Sequence, residues 1–411
     1  MAKKKSSSDF DFSKISNVVD SLSKKSMITI ENIQAEKSYI STGVYILDAL
    51  LSKSILNGGI PNNRITIFAG PPQTGKSYIA LNIARNAQKE DYNIIYIDTE
   101  FAIEKSDFDM FGVDTTDPNK FMLIRSNRVE NIKIFLTQLL GELKEQKSKG
   151  VDVSKNIIIL DSIGQLASNK EVEDALEGKQ KQDMSRAKAI KSLFRIISSD
   201  MGYLNIPLVA TNHVYLTLDL FPQTVQSGGD GLNYSASIIV YLSIAKLKTG
   251  NEDELDLGQS GVVITAKSRK NRLAKPKKIK FELDHTKGVN PFKGLDFFCT
   301  PENFEQVGIA KVKKEVDKKT GEILYSSGGT KYYIRHLDKY LYEKSIFNSV
   351  VFSKPVLEAL SPIIYDYFKY ASYEEYQKEL EQLDEEYSKF EVDEDDKDFD
   401  IDFDDDKTLF S

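Results

Sequence analysis

Tryptophan is absent from this chain of 411 residues, and cysteine occurs only once, at Cys299. One cysteine cannot close a disulfide within the chain, which excludes a disulfide-stapled secreted domain and fits a reducing compartment. No apolar run approaches the roughly 18 residues that a membrane-spanning helix needs. The lysines near the N-terminus are not followed by an apolar stretch, so the sequence shows no signal peptide. These absences predict a cytoplasmic protein without a membrane partner.

Charge is unevenly distributed, although the chain as a whole carries a formal charge of −7. Residues 379–411 contain 16 acidic residues against 3 lysines, so the first 378 residues carry +6. Like charges at this density predict a disordered acidic tail on a mildly basic body. Its spaced phenylalanines (Phe390, Phe399, Phe403 and Phe410) are also typical of a docking strip for a partner.

Hydrophobic residues make up 40% of the chain, and its length predicts one large domain with at least one smaller unit. We expect four parts in chain order. They are a flexible N-terminal segment, 1–37, a core, 38–290, a small C-terminal α+β domain, 291–378, and the acidic tail, 379–411.

Short apolar runs alternate with helical patterns through most of the core. The predicted strands are 65–69, 93–98, 157–161 and 206–210, and the predicted helices are 44–56, 127–147 and about 184–197. Continuous apolar strands that alternate with helices indicate an α/β fold, with a mostly parallel, twisted sheet and helices on both faces. Three strands with short connections follow, at 237–246, 261–267 and 278–283. They predict an antiparallel extension of the sheet.

The phosphate-binding pattern G-x-x-x-x-G-K-[ST] is present at Gly70–Ser77, between an apolar strand and an amphipathic helix. Its glycines let successive backbone N–H groups face one anion at the positive end of that helix. Lys76 is expected to reach the β- and γ-phosphates of a nucleoside triphosphate, and Ser77 to bind Mg²⁺. A chance glycine-rich turn would not need the flanking strand and helix. The predicted nucleotide contacts are Gly70, Pro71, Pro72, Gln73, Thr74, Gly75, Lys76, Ser77 and Tyr78.

Two carboxylates close neighbouring strands of the predicted sheet. Asp161 ends an apolar strand in the arrangement known as Walker B, where it would hold Mg²⁺ through water. The alternative is an aspartate that caps the next helix. Glu100 follows the strand 93–98, and a carboxylate at that edge can orient or deprotonate an attacking water. Solvated surface is the alternative for a glutamate at a strand end.

Histidine and a basic run supply the remaining candidates. His213 ends another core strand, just before a long loop, 214–227. A lone histidine is more often structural, but one between phosphates and a loop can act as a relay. Residues 267–280 contain eight lysines and arginines and no acid, which favours contact with phosphate. Lysines that guard an edge strand against aggregation are the alternative.

In order and spacing, these motifs resemble those of the RecA-type recombinases, and most closely the UvsX-type recombinases of large tailed phages. The resemblance covers residues 40 to about 290. The matching stretches are ISTGVYILDALL, GGIPNNRITIFAGPPQTGKS, IIYIDTEF, IIILDSIGQLASNKEVEDAL, MSRAKAIKSLFRII, IPLVATNH, GGDGLNYSAS and ITAKSR. The fold that the resemblance implies is a RecA-like P-loop ATPase core whose N-terminal segment packs on the adjacent protomer.

Site roles follow from the resemblance by position. Glu100 matches the family's water-activating glutamate, and His213 matches the polar γ-phosphate sensor that begins the second DNA-binding loop. Lys267 and Arg269 match a pair of cations that reach across to a neighbour's ATP. The first DNA loop would be residues 168–183 and the second 214–227.

The family's adenine-stacking tyrosine has no counterpart here, because Asp107 occupies its position. Phe108, one residue further on, is the candidate that replaces it.

The resemblance implies an ATP-dependent DNA recombinase that forms filaments on single-stranded DNA and catalyses homologous pairing and strand exchange. ATP with Mg²⁺ would lie between adjacent protomers. Expected partners are single- and double-stranded DNA, further copies of the chain, a single-stranded-DNA-binding protein and a recombination mediator. The expected location is the cytoplasm of a phage-infected host.

Two other functions share part of the pattern. A ring-forming helicase of the same fold would also have the phosphate loop, the glutamate and the cation pair. The short N-terminal segment leaves no room for the separate loading domain of such a helicase. A non-catalytic, ATP-gated mediator is the second alternative, and the presence of Lys76, Glu100 and Asp161 argues against it.

Overall fold

The computed structural model describes residues 37–178, 185–216, 224–229, 231–248, 259–316 and 323–387. The predicted N-terminal docking segment, up to residue 36, and the acidic stretch from residue 388 onwards lie outside these ranges. The predictions for both rest on the sequence alone. The chain divides into two compact units, Met1–Lys369 and Tyr370–Ser411.

A short antiparallel pair, β1 (Tyr39–Ile40) and β2 (Ile60–Pro61), precedes the main sheet. The strands of the main sheet are β3 (Ile65–Gly70), β4 (Asn93–Asp98), β5 (Phe121–Arg125), β6 (Asn156–Asp161), β7 (Leu208–Leu216), β8 (Thr224–Gln226), β9 (Ile238–Lys248), β10 (Gln259–Asn271), β11 (Lys278–Asp284) and β12 (Gly288–Val289). In the described part of the chain they lie in the order β12-β11-β10-β9-β3-β7-β6-β4-β5, and β8 pairs with β7.

Six neighbouring strands, from β9 to β5 in that order, run parallel, and β10 to β12 continue the sheet antiparallel. This confirms the predicted mostly parallel sheet with an antiparallel extension. One strand differs, because β9 belongs to the predicted extension yet runs parallel to β3, where Thr66 pairs with Ile238. The reason lies after β8, which ends opposite Val214. The helix Gly231–Ser235 follows, and the chain then reaches the amino edge, where the N–H of Ser237 donates to Ile65 O at 3.0 Å.

Helices cover both faces of the sheet. They are α1 (Tyr45–Ser52), α2 (Lys76–Lys89), α3 (Lys105–Phe111), α4 (Val129–Ser148), α5 (Asn169–Leu176), α6 (Ser185–Leu204) and α7 (Gly231–Ser235). Side chains of α1 and α2 join Phe68 of β3 in one buried cluster, and those of α4 and α6 join Ile65 and Ile67 in another. Because both faces are covered, β3 is buried along its length, which explains its mostly apolar sequence. No helix in the described ranges is long and apolar enough to cross a membrane.

Several helix boundaries differ from the sequence patterns, including the end of α6, and two of the differences have a local cause. α1 ends at Ser52 rather than at residue 56, because Lys53 adopts a left-handed conformation with φ 62° and its N–H bonds to Ala49 O at 2.6 Å. α4 begins at Val129 rather than at residue 127, because Arg128 is still extended. Both ends depend on local backbone geometry that an apolar repeat does not report.

Residues 291–369 form short elements that pack on the core. They are α8 (Phe304–Val307), β13 (Ile309–Ala310), β14 (Val312–Val316), β15 (Ile323–Ser327), β16 (Tyr332–Ile334), β17 (Lys339–Leu341), α9 (Glu343–Ile346) and α10 (Lys354–Phe368). Helices and strands both occur in this stretch, which belongs to the predicted α+β domain 291–378. Leu360 and Ile364 of α10 belong to the same buried cluster as Ile46 and Leu47 of α1, so packing is continuous across residue 291.

The second unit contains α11 (Tyr373–Tyr387). A reciprocal cap starts it, since the N–H of Ser372 donates to Glu375 Oε2 at 2.8 Å and the N–H of Glu375 donates to Ser372 Oγ at 3.2 Å. Residues 379–387, predicted as the start of a disordered tail, are therefore helical.

Candidate functional site

The phosphate loop connects β3 to α2 at the carboxyl edge of the sheet. Gly75, at the N-cap of α2, is left-handed with φ 81°, a conformation that favours glycine. The Thr74 hydroxyl donates to Pro71 O at 2.8 Å and closes the loop on itself. The curled backbone leads directly into the N-terminus of a 14-residue helix, where N–H groups and the helix dipole favour an anion.

Lys76 lies inside this loop. Its Nζ donates to Gly70 O at 3.0 Å and to Pro71 O at 2.8 Å. Burial lowers the pKa of Lys76, while the negative charges of Asp161 and Glu100 oppose that shift. The ammonium group is thus held by neutral carbonyls at the loop, and phosphate oxygens offer it stronger, charged acceptors.

Asp161 ends β6 and is held by both neighbouring strands. Tyr96 of β4 donates its hydroxyl to Asp161 Oδ2 at 3.0 Å, and Thr211 of β7 donates to Asp161 Oδ1. Burial, together with the adjacent Asp161 carboxylate, raises the pKa of Tyr96 well above its usual value. The next turn, Ile163–Gln165, has no side-chain cap, so the carboxylate is not used as a helix cap.

Magnesium is compatible with the oxygen donors at this edge. The Ser77 hydroxyl is exposed at the start of α2, and Asp161 presents a fixed carboxylate two strands away in the sheet order. The described residues contain no group of three or more metal-binding side chains. Mg²⁺ does not require one, because it is usually bound by one or two protein oxygens together with waters and substrate phosphates.

Glu100 follows β4, in a turn that Asp98 organises. Asp98 Oδ1 accepts the N–H groups of Glu100 at 3.1 Å and Phe101 at 2.9 Å. The Ser162 hydroxyl then donates to Glu100 Oε1 at 2.7 Å. Ser162 is itself fixed to Thr99, whose Oγ1 accepts its N–H at 2.8 Å. The glutamate is therefore oriented by neighbours on two adjacent strands.

His213 completes the arrangement around Glu100. Its Nε2 lies 3.1 Å from Glu100 Oε1, within hydrogen-bond distance. In the parallel ladder between β3 and β7, His213 is the register partner of Gly70, the first residue of the phosphate loop. The imidazole also packs against Gly164, where a Cβ would lie only 2.2 Å from His213 Cδ2. The structure thus brings together the phosphate loop, Glu100, Asp161 and His213, as the sequence predicted for one edge of a sheet.

Lys267 and Arg269 lie apart from this group, on β10. Both side chains are exposed, and neither has a hydrogen bond or ion pair within the described residues. Lys267 pairs in register with Tyr241 of β9 and, on its other side, with Lys278 of β11. Two lysines directly opposite each other repel, so this surface favours an anionic group from outside the protomer.

Two of the predicted nucleotide contacts, Phe108 for the base and Tyr78 after the phosphate loop, pack within the protein. Phe108 is only 2% exposed, and its ring packs edge-on against Tyr96 at 5.3 Å and Phe121 at 4.9 Å. Its faces are covered by the core, so this position lends no support to adenine stacking. Tyr78 packs on Phe111 at 4.6 Å and accepts the N–H of Val289 at 3.1 Å.

Supporting residues of the site escaped the sequence reasoning. Ser162, Thr211 and Tyr96 orient the two carboxylates, yet each is an ordinary strand or strand-end residue in the sequence. Only Ser162 carries a signal, because it directly follows a strand-end aspartate. The other two become visible only when the strand order is known.

The two predicted DNA segments begin with regular structure. Ser168 caps α5 in a reciprocal box with Glu171, so the first segment starts as a helix. In the second, β7 continues to Leu216 and pairs with β8 as a hairpin. Residues 179–184 and 217–223 lie outside the described ranges.

Comparisons with known proteins agree with this arrangement. The family model of the RecA N-terminal domain matches residues 12–290, more than half of the chain. The Recombination and repair protein of Enterobacteria phage T4 is 30% identical over 308 residues, covering 72% of this chain and 73% of that protein. The mitochondrial DNA repair protein recA homolog 3 of Arabidopsis thaliana is 29% identical over 260 residues, covering 61% and 54%. Protein RecA of Nautilia profundicola is 29% identical over 279 residues, covering 66% and 70%.

The match spans the phosphate loop, the strand-end carboxylates and the β10 cations, in the order that the sequence motifs predict. On the strength of this match and the sheet topology, the chain belongs to the RecA family of recombinases.

Proposed function

We propose that this chain is an ATP-dependent DNA recombinase, which forms filaments on single-stranded DNA and catalyses homologous pairing and strand exchange. The observation that carries the proposal is the orientation of Glu100. Its Oε1 is shared by Ser162 Oγ at 2.7 Å and His213 Nε2 at 3.1 Å, beside the phosphate loop. That geometry suits a general base at an ATPase site.

Hydrolysis then follows from the groups at the sheet edge. Because Glu100 Oε1 is occupied by two donors, Oε2 is the atom that accepts a proton from the attacking water. Lys76 and the backbone of the phosphate loop bind the β- and γ-phosphates and stabilise the charge that develops on them. Mg²⁺, when bound, neutralises phosphate charge, and the residues that would hold it are Ser77 and, through water, Asp161.

Hydrolysis also depends on assembly. Lys267 and Arg269 are exposed cations without partners in the described part of their own protomer. We assign them to the nucleotide of the adjacent protomer in a filament. ATP then stabilises the interface, and its hydrolysis weakens the interface and releases DNA, so the filament alternates between two states.

DNA binding is assigned to the segments that leave the same edge of the sheet, 168–183 and 214–227. His213 stands at the root of the second segment and touches Glu100, so a change in that segment can reach the catalytic carboxylate directly. Expected partners are therefore single- and double-stranded DNA and further copies of this chain. We also expect a single-stranded-DNA-binding protein and a recombination mediator as partners, and action in the cytoplasm of a phage-infected host.

The direct test measures ATP hydrolysis with and without single-stranded DNA, and strand exchange with a homologous duplex. We expect DNA to stimulate hydrolysis and exchange to require homology. Lys76→Ala should lose nucleotide binding and both activities. Lys89→Ala, at the far end of the same helix, is the matched control and should keep them. DNA-independent hydrolysis without strand exchange would contradict the proposal.

Imaging separates the alternatives. Negative-stain micrographs with single-stranded DNA and a non-hydrolysed ATP analogue should show helical filaments. Closed rings would indicate the helicase alternative. Neither filaments nor rings, combined with absent turnover, would indicate the non-catalytic mediator.

A further inference from the structure

Arg186, in the first turn of α6, makes an unusual set of contacts for a helix residue. Its guanidinium donates to Leu166 O, to Gly164 O at 2.7 Å and to the Ser227 hydroxyl at 3.0 Å. The two carbonyls lie at the end of the single turn Ile163–Gln165, where backbone oxygens lack helical partners. One side chain thus joins that turn to Ser227, the residue that directly follows β8.

Both ends of this connection reach His213. On one side, the turn presses Gly164 against the imidazole, leaving no room for a Cβ. On the other, the N–H of Ser227 donates to His213 O at 2.9 Å, and Asn212 Nδ2 donates to Ser227 O at 2.9 Å. The histidine that touches Glu100 is therefore held between two segments, and Arg186 fixes the distance between them.

We propose that Arg186 is a positioning residue that sets His213 against Glu100 and transmits DNA occupancy of the hairpin to the hydrolysis site. The inference deepens the proposed function and rests on it, because it concerns DNA-stimulated hydrolysis. Arg186 touches neither Glu100 nor the phosphate loop in the contacts that the structure describes; its effect passes through the turn and the hairpin.

An arginine suits this task for a geometric reason. Its planar fork points several N–H groups in fixed directions and can bind acceptors in two separate segments at once. A lysine carries the same charge on a single nitrogen, which cannot occupy both the Nε position that bonds to Leu166 O and the Nη2 position that bonds to Gly164 O. The contacts of Arg186 with the turn and with Ser227 therefore depend on the shape of the side chain as well as on its charge.

The test compares Arg186→Gln, Arg186→Lys and Ser227→Ala with the wild-type protein. Arg195→Gln is the matched control, because Arg195 is an exposed arginine on the same helix. We expect Arg186→Gln to lower kcat for DNA-stimulated ATP hydrolysis by about tenfold, with KM for ATP unchanged. Arg186→Lys should remain impaired. Ser227→Ala, which removes only the hairpin arm, should give a smaller loss that is not additive with Arg186→Gln.

Salt dependence distinguishes positioning from direct DNA contact. A lost phosphate contact would reduce the slope of log affinity against log salt by about one. We expect the slope for Arg186→Gln to match that of Arg195→Gln and the wild type. A reduced slope, or full activity in Arg186→Lys, would overturn the positioning role. If Arg186→Gln does not fold, Ser227→Ala is the deciding variant. Stimulation of its ATP hydrolysis by DNA to the wild-type level would reject the positioning role of Arg186.

The same experiment separates this inference from the proposed function. A wild-type protein whose ATP hydrolysis ignores DNA removes the proposed function itself. A wild-type protein that DNA stimulates, together with equal stimulation of Arg186→Gln, removes only the role of Arg186.

Discussion

Nε2 of His213 and Oε1 of Glu100 lie 3.1 Å apart although 113 residues separate them in the chain. The contact joins His213, within β7, to the turn after β4, and β6 lies between these two strands in the sheet. His213 is also in register with Gly70 of the phosphate loop. One short contact therefore connects the base of the hairpin to the proposed catalytic carboxylate, beside the phosphate loop.

Glu100→Gln should abolish most ATP turnover and keep ATP-dependent DNA binding. The amide preserves the shape of the side chain but cannot accept a proton from water, which costs roughly 10²- to 10⁴-fold in rate. A fluorescence assay for DNA binding and a phosphate-release assay measure the two properties in parallel. Normal turnover in this variant would remove Glu100 from the mechanism.

Gly164→Ala should displace the imidazole of His213 from Glu100. The added Cβ would lie 2.2 Å from His213 Cδ2, so the ring or the turn must move. We expect turnover to fall by at least about tenfold, since an interaction at the reacting group is disturbed. Gly202→Ala is the control, because a Cβ there meets nothing within 4 Å. Equal rates for the two variants would show that the His213 contact is dispensable.

Mixed filaments test whether Arg269 acts across the protomer interface. Arg269→Ala and Glu100→Gln should each be nearly inactive, because every site lacks one of its halves. Random mixing restores both halves at roughly a quarter of the junctions of a head-to-tail assembly. ATP hydrolysis by a one-to-one mixture should therefore exceed that of either parent. A mixture that co-assembles, yet stays at the parental rate, would place Arg269 outside the site.

Asp48 should make stability fall as pH rises. Burial raises the pKa of Asp48 to about 7, although the hydroxyls of Ser41 and Thr42 donate to its carboxylate at 2.6 Å. In the unfolded chain the pKa of an aspartate is about 3.9. The higher pKa in the folded protein stabilises it fully below that pH, and this stabilisation is lost as pH rises through about 7. The contribution is up to about 4 kcal/mol.

Asp48→Asn removes this titration and keeps the shape of the side chain. The difference between the unfolding midpoints at pH 5.5 and pH 8 should therefore be smaller for the variant than for the wild type. The exposed Asp109→Asn serves as the control for a surface carboxylate. If the unfolding midpoints of the wild type and Asp48→Asn differ by the same amount at both pH values, the pKa of Asp48 is not raised.

The sequence predicted strands better than it predicted contacts. β4 begins and ends at the predicted residues, because an unbroken apolar run bounded by polar residues reports burial on both faces. The direction of β9 was not predictable from its own residues, since it depends on the path of the chain through α7 to the amino edge of the sheet. The start of α11 carried a readable signal, the capping pair Ser372 and Glu375, which the density of acidic residues obscured.

The site shows the same division. The sequence predicted that Lys76, Asp161 and Glu100 lie at one edge of the sheet, because the carboxyl ends of parallel strands meet there. Their supports were not predictable, since Tyr96, Asp161 and Thr211 meet only through the lateral order of β4, β6 and β7. Phe108 was predicted to contact the nucleotide base because of its position in the motif. The structure instead buries its ring in the core, on the inward face of α3.

The bonds of Asp161 to Tyr96 and Thr211 affect how its variants must be interpreted. An alanine at position 161 would leave two hydroxyls without their acceptor between three strands, as well as removing a candidate ligand of magnesium. Loss of activity in such a variant would therefore not distinguish impaired folding from impaired binding of magnesium. Ser77 is exposed at the start of α2, and Ser77→Ala changes little else. It is therefore the cleaner genetic probe of the metal requirement.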